Sequence, residues 1–304
     1  MKHVDEDLRS YAWSPRRVAL VAAVAGASLF LPVVTAATSA TTHAARAKVS
    51  THRLAVGRVD TDSLRLVADV KGASSAGAMT TGPLVDHGGK VLSASHVYVI
   101  WWGPSAAWAS DVAPGMAKLF GSLNGSSYAK TAVQYLRGAA LTTALSGVKS
   151  DPSTPPASAT AAMLGTEAAK EYGTLNPSGI YFVFTSNYPP KAPFCAWHDT
   201  TSVNKVSVAV AYMPDTTGVA GCDPGNLYNV AGSQGLRSLA NDAAHEFTEA
   251  VTDPFLTAWY DSSGNEVGDK CGWTFSAPVT LAATTWQLQE EWSNTARACV
   301  QTTP

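Results

Sequence analysis

An α/β (α+β) layered domain with a central mixed sheet is predicted for the last two-thirds of this 304-residue chain. Three observations predict it. Apolar and aromatic runs at 96–102, 179–185 and 206–212 read as strands covered on both faces. Segments with apolar residues at helical spacing, 108–121, 127–138 and 159–172, alternate with them. A last amphipathic segment, 236–252, carries an apolar stripe and, opposite it, polar side chains able to hold a metal ion.

Taken in order, the chain begins with an export signal at 1–40. Lys2, Arg9, Arg16 and Arg17 precede an apolar run at 18–36, and Val34-Thr35-Ala36 and Thr38-Ser39-Ala40 both offer small-x-Ala cleavage sites. A single membrane anchor is the competing reading of this run, and Pro32 with the Ala/Thr/Ser-rich exit favours cleavage. Residues 41–92, rich in Ala, Ser, Thr and Gly, read as a flexible spacer or pro-segment. The globular domain is assigned to 93–304. Its first strand stops at Gly103-Pro104-Ser105, and a Pro/Ser/Thr loop occupies 151–158.

Composition excludes two classes. Charged residues make up 14% and the formal net charge is −2. A nucleic-acid binder would show clustered Lys and Arg, and a membrane-surface protein a polybasic stretch. Without the leader, 17 of 21 basic and 20 of 23 acidic residues remain, so the mature part is mildly acidic. A soluble, extracellular monomer is expected. Four cysteines, an even number in an exported chain, favour two disulfides. Proximity suggests Cys195–Cys222 and Cys271–Cys299. A four-thiolate zinc site is the alternative, but no C-x-x-C spacing supports it.

The helix at 236–252 is the most informative segment. Leu236, Leu239, Ala240, Ala243, Phe247, Ala250 and Val251 form its apolar stripe. His245 and Glu249 fall on the other side, four residues apart and therefore neighbours. Two ligands at that spacing can grip one ion while the next residue, Glu246, serves as general base on water, the logic of His-Glu-x-x-His zinc hydrolases. With Glu249 in place of the second His, zinc is still available through a carboxylate, and calcium becomes a second candidate. The bland reading is a solvated helix face. Among later carboxylates, Asp253 lies about 12 Å along the helix from His245 and is too far to share an ion. Phe255 occupies the position where long zinc-hydrolase motifs place their third ligand. Asp261, Glu290 and Glu291 follow too. Glu266 and Asp269 fit best, after a tight turn at 259–264 that leads the chain back towards the helix and ahead of Cys271.

The run His245-Glu-Phe-Thr-Glu-Ala-Val-Thr-Asp-Pro254, then Ala258-Trp-Tyr260 and Glu266-Val-Gly-Asp-Lys-Cys271, resembles the plant Exordium or phosphate-induced protein family and related bacterial secreted proteins. Val97-Tyr-Val-Ile-Trp-Trp-Gly103, Gly179-Ile-Tyr-Phe-Val-Phe-Thr-Ser186 and Phe194-Cys195-Ala-Trp-His198 are similar to that family's strands and its Cys- and His-bearing loop. The resemblance implies a divergent zincin-like domain. His245 and Glu249 would then be ligands, Glu246 the base, and Glu266 or Asp269 the remaining ligand. His198 would line the cleft and polarise a substrate carbonyl, or else make a structural hydrogen bond beside Cys195.

Two functions follow as expectations. One is a secreted zinc-dependent hydrolase acting on peptides or proteins. The other is a non-catalytic extracellular binding or signalling module with a structural metal or none. In the second, the alternating segment 286–292 could present Trp286 and Trp292 to cell-wall carbohydrate. Neither a Gly-x-Ser-x-Gly elbow nor a phosphate-binding loop is present.

Overall fold

The computed structural model describes residues 82–303; the expected leader and the spacer up to residue 81 lie outside them. Residues 82–92, grouped with the spacer on composition, are folded onto the domain. There β1 (Val85–Asp86) pairs antiparallel with β7 (Trp259–Tyr260), and Leu84 and Leu92 are buried. These two leucines supply apolar burial that a count of small residues overlooks.

The central sheet holds β2 (Ala94–Trp102), β3 (Thr142–Asp151), β4 (Gly179–Thr185), β5 (Trp197–Val203) and β6 (Val206–Pro214) in the order β3-β2-β4-β6-β5. The first four in that order run parallel, and β5 pairs antiparallel with β6, so the sheet is mixed. In β4 every residue is buried, because helices cover both faces. Side-chain alternation divides it: Ile180, Phe182 and Phe184 join one core, Tyr181 and Val183 the other.

The first core packs against α1 (Val112–Ser122) and α3 (Gln234–Thr252), and the second against α2 (Ala161–Tyr172). The stretch expected as a helix at 127–138 is a 3-10 helix, Ala129–Tyr135. Its two buried tyrosines are tied to the C-terminal segment: Tyr128 donates to Glu291 and Tyr135 to the Trp292 carbonyl. The C-terminal third adds β8 (Val279–Leu281) with β9 (Thr284–Trp286), and β10 (Glu291–Ser293) with β11 (Ala298–Val300). Trp286 and Trp292 are both buried, so neither ring offers a face for sugar stacking.

The disulfides are Cys195–Cys222 and Cys271–Cys299, closing spacings of 27 and 28 residues. Loops of that length correspond to about 3–4 kcal/mol each in the chain-entropy picture. The first fixes the approach to β5, and the second anchors the 266–271 segment to β11. Among the described residues no helix is long and apolar enough to cross a membrane.

Candidate metal centre

Helix α3 is where sequence and tertiary structure differ most usefully. Ser233 caps it by accepting from the Leu236 amide, and Asp111 holds Ser233 through both its amide and its hydroxyl. The apolar stripe sits in the main core, as its spacing requires. The opposite face is buried too: His245, Glu246 and Glu249 are 0%, 0% and 3% exposed. A solvated face is therefore excluded. Three segments cover it: β5, the turn at 266–271, and the stretch at 287–291.

Each segment delivers polar groups. In β5, alternation sends Trp197 to the α2 side and leaves His198 facing α3. His198 Nδ1 lies 3.3 Å from Glu246 Oε2 and 3.4 Å from Glu249 Oε2. Its Nε2 is 3.2 Å from the Asp253 carbonyl and 3.7 Å from Glu266 Oε1. A carbonyl only accepts, so Nε2 carries hydrogen and, in the neutral ring, Nδ1 keeps its lone pair towards the two glutamates.

From the 266–271 turn, Asp269 Oδ1 comes to 3.9 Å from His245 Nε2, which is 3.0 Å from Glu249 Oε1. The Asp269 amide also donates to Glu249 Oε1 at 3.1 Å. The turn closes over His245 because residue 268 is glycine. A Cβ there would lie 2.5 Å from His245 Nδ1 and 2.7 Å from its Cε1, closer than any real contact. From the C-terminal stretch, Gln289 donates to the Gly268 carbonyl at 3.1 Å and stands 2.6 Å from His245 Nδ1. A lone pair on Nε2 needs the carboxamide turned by half a rotation to accept from Nδ1–H, which gives up its bonds with the Gly268 carbonyl and the Trp273 amide.

Five of the six residues singled out in the sequence thus meet, in two overlapping groups. His245, Glu249 and Asp269 form one, and His198, Glu246 and Glu249 the other; in each, three donor atoms lie within 4.8 Å of one another. Glu266 belongs to neither and sits behind His198. Four contributors had no sequence signal strong enough to find them. Gly268 and Gln289 act through tertiary contacts. Glu291 accepts from Tyr128 at 2.7 Å, and Asp242 stands one turn before Glu246.

Electrostatics sets this cluster apart. The lysine and arginine ion pairs of the described residues lie elsewhere, at Asp86, Asp151, Glu167, Glu171, Asp223 and Asp261. Among the described residues the cluster's carboxylates form ion pairs with histidines only. Without an added cation, burial and the Glu249 charge push Asp269 up to about 7, and burial pushes Glu291 up to about 8. Burial, then the Glu246 charge, raises Asp242 well above the carboxylate range. Burial alone would lower both histidines, but Glu266 with Glu246 and Glu249 at His198, and Glu249 at His245, outweigh it and raise them. Burial likewise opposes the ionised form of Glu249, yet the two histidines hold it below its ordinary value.

The donor set fits a cation. Ligand atoms about 2.0–2.2 Å from a tetrahedral zinc are about 3.3–3.5 Å from each other. The two His198 Nδ1 distances match that spacing and are long for charge-assisted hydrogen bonds, at about 2.7–2.9 Å. His245 Nε2, Glu246 Oε1 and Glu266 Oε1 are buried without a hydrogen-bond partner; the 3.0 Å approach of Glu249 to His245 is an ion contact off the ring's donor direction. Compared with known proteins, this chain matches no family model, no curated protein and no solved structure.

Proposed function

We propose that this chain is an exported, zinc-dependent hydrolase with peptide bonds as its substrate class and Glu246 as its general base. The observation that carries the reading is the pair of buried, partnerless atoms inside the donor groups, His245 Nε2 and Glu246 Oε1. Each would cost about 1–3 kcal/mol if left unsatisfied, and their neighbours offer mostly negative charge. Nitrogen donors beside carboxylates select zinc over calcium, which prefers six to eight oxygens. The mixed sheet and buried helix support a zincin-like arrangement, and peptide hydrolysis follows from the helix motif by analogy. Export is supported by the leader pattern and by two disulfides.

A bound zinc supplies Lewis acidity and draws the pKa of water down towards neutrality. The chain's own groups divide the remaining work. Glu246 Oε1, free of hydrogen bonds, is the atom placed to take a proton from water and hand it to the leaving amine. The Asp253 carbonyl holds His198 by Nε2, so this ring serves better as a ligand than as a donor to a substrate carbonyl. Asp269, with 19% of its side chain exposed, marks the side from which substrate would approach.

One observation favours the second reading, a binding or signalling module with a structural metal: Glu246 is fully buried. The test is to incubate the exported, zinc-loaded protein with a denatured protein mixture and identify new termini by mass spectrometry. Cleavage by wild type that disappears in Glu246→Gln, with the zinc held by His245 and Glu249 retained, is expected. Stoichiometric zinc with no cleavage in wild type would leave the binding module as the function.

A further inference from the structure

We infer that the cluster binds two divalent cations, with Glu249 as the carboxylate shared between them. This rests on the metal-dependent reading above but departs from it in the number of ions and in making Glu246 a ligand as well as the base.

Glu249 divides its oxygens. Oε1 faces His245 Nε2 at 3.0 Å, and Oε2 faces His198 Nδ1 at 3.4 Å. Each histidine brings its own second carboxylate: Asp269 at 3.9 Å for His245, Glu246 at 3.3 Å for His198. Each nitrogen is therefore the centre of a separate three-donor group, and the groups share only Glu249. A carboxylate used in this way holds two ions about 3.5–4 Å apart, the usual spacing of two-metal sites.

Each imidazole also has its own orienting partner on the nitrogen turned away from the ion. For His198 it is the Asp253 carbonyl, and for His245 the Gln289 carboxamide once its oxygen is turned towards Nδ1. Such partners fix the tautomer of a ligating histidine. One ion would leave one of these two prepared rings without a purpose.

Charge points the same way. Glu246, Glu249, Glu266, Asp269 and Glu291 bring up to five negative charges into a region whose ion pairs, among the described residues, reach only the two histidines. Buried charges persist only when compensated. One divalent ion leaves three charges unmatched, and two leave one. Glu246 binds through Oε2 in this arrangement and keeps its partnerless Oε1 for the proton.

The experiment is metal content by elemental analysis of the exported protein, stripped with chelator, reloaded with zinc and freed of excess. About two zinc ions per chain are expected in wild type. His198→Ala and His245→Ala should each retain about one, and Glu249→Ala less than one. One zinc in wild type, lost in both histidine variants, overturns the two-ion site and leaves the single-zinc hydrolase standing. No zinc in a folded wild type removes both. Two zinc ions retained in either histidine variant also overturn the assignment. Should a variant fail to fold, the manganese-loaded wild type decides by electron paramagnetic resonance. An exchange-coupled pair signal supports the bridge, and isolated-ion signals overturn it.

Discussion

On the α2 side of the sheet, Asp151, Glu167 and Glu171 gather around Lys170, whose ammonium lies 2.5, 3.2 and 3.8 Å from them. On the α3 side, Glu246, Glu249, Glu266 and Asp269 gather around two histidines. The first is a group of three carboxylates within reach of one another, the second two groups of two carboxylates and a histidine that share Glu249, and they differ in what neutralises them. The first group carries its own cation on a half-exposed, flexible stem. Although burial works against it, hydrogen bonds from Lys170 and Ser153 hold Asp151 well below the usual carboxylate range. In the second, Asp269 and Glu291 are pushed upward by burial. Acidic clustering alone therefore says little about metals. What matters is whether the chain already supplies the positive charge and whether donor atoms remain without partners.

The largest way to sharpen this contrast is chelation. Removing ions held about a thousandfold above their Kd withdraws about 4 kcal/mol, and for a domain of this size that lowers Tm by about 8–16 °C. Differential scanning calorimetry with and without chelator checks it; an unchanged Tm for a protein shown to have lost its metal would dissolve the distinction between the two clusters.

The stability of the chelated protein should also depend on pH in the opposite sense to the loaded one. Asp269 and Glu291, near 7 and 8 when folded, lie above their unfolded values. Their burial penalty is absent below the ordinary carboxylate range and grows as pH rises to those folded values. The raised histidines contribute in the same direction. Chelated protein should melt higher at pH 5 than at pH 8.5. Loaded protein should melt lower at pH 5, because protons compete for the ligands. Thermal melts of both forms across this range would show parallel curves if the cluster were not the metal site.

A smaller effect is expected at Gly268. Gly268→Ala must displace the turn or the His245 ring and should weaken zinc binding about 10–100-fold, as loss of an orienting contact does, while the circular dichroism spectrum stays native. Competition with a chromophoric chelator measures it. The smallest effect belongs to Lys170→Met. The lysine side chain is 50% exposed, so its loss should cost about 0.5–1 kcal/mol and leave zinc content unchanged. That cost should shrink as pH falls below about 4, where Asp151 in the unfolded chain is protonated. A change in zinc content in this variant would mean the two clusters are not independent.

Local patterns were legible, and tertiary ones were not. The runs that became β2, β4 and β6 are apolar because both their faces are covered. The pairing of His245 with Glu249 needs only helix geometry. Strands β3 and β5 escaped notice because each lies at a sheet edge: β3 alternates exposed and half-buried polar residues, and β5 reads Asp199-Thr-Thr-Ser202 after its first turn inward. The strand carrying His198 thus reads as a loop, and its ring as lining a cleft or bonding beside Cys195, where the fold sets it against Glu246 and Glu249. Nothing local separates Glu266 from Asp269. The Gly268 turn decides it, by bringing Asp269 to His245 and leaving Glu266 behind His198. The polar face of α3 leaves a solvated reading open because the groups that bury it arrive from 48 residues before to 44 residues after their partners on it, beyond the reach of any periodicity.

The claim at the centre is that a cation sits where Glu249 meets the two histidines. A crystal of the exported protein, measured at the zinc absorption edge after zinc loading, tests it directly. An anomalous peak within bonding distance of Glu249 and at least one of His245 Nε2 and His198 Nδ1 is expected. A zinc-soaked crystal with no peak there, and with those atoms satisfied by ordered water or by one another, would contradict it.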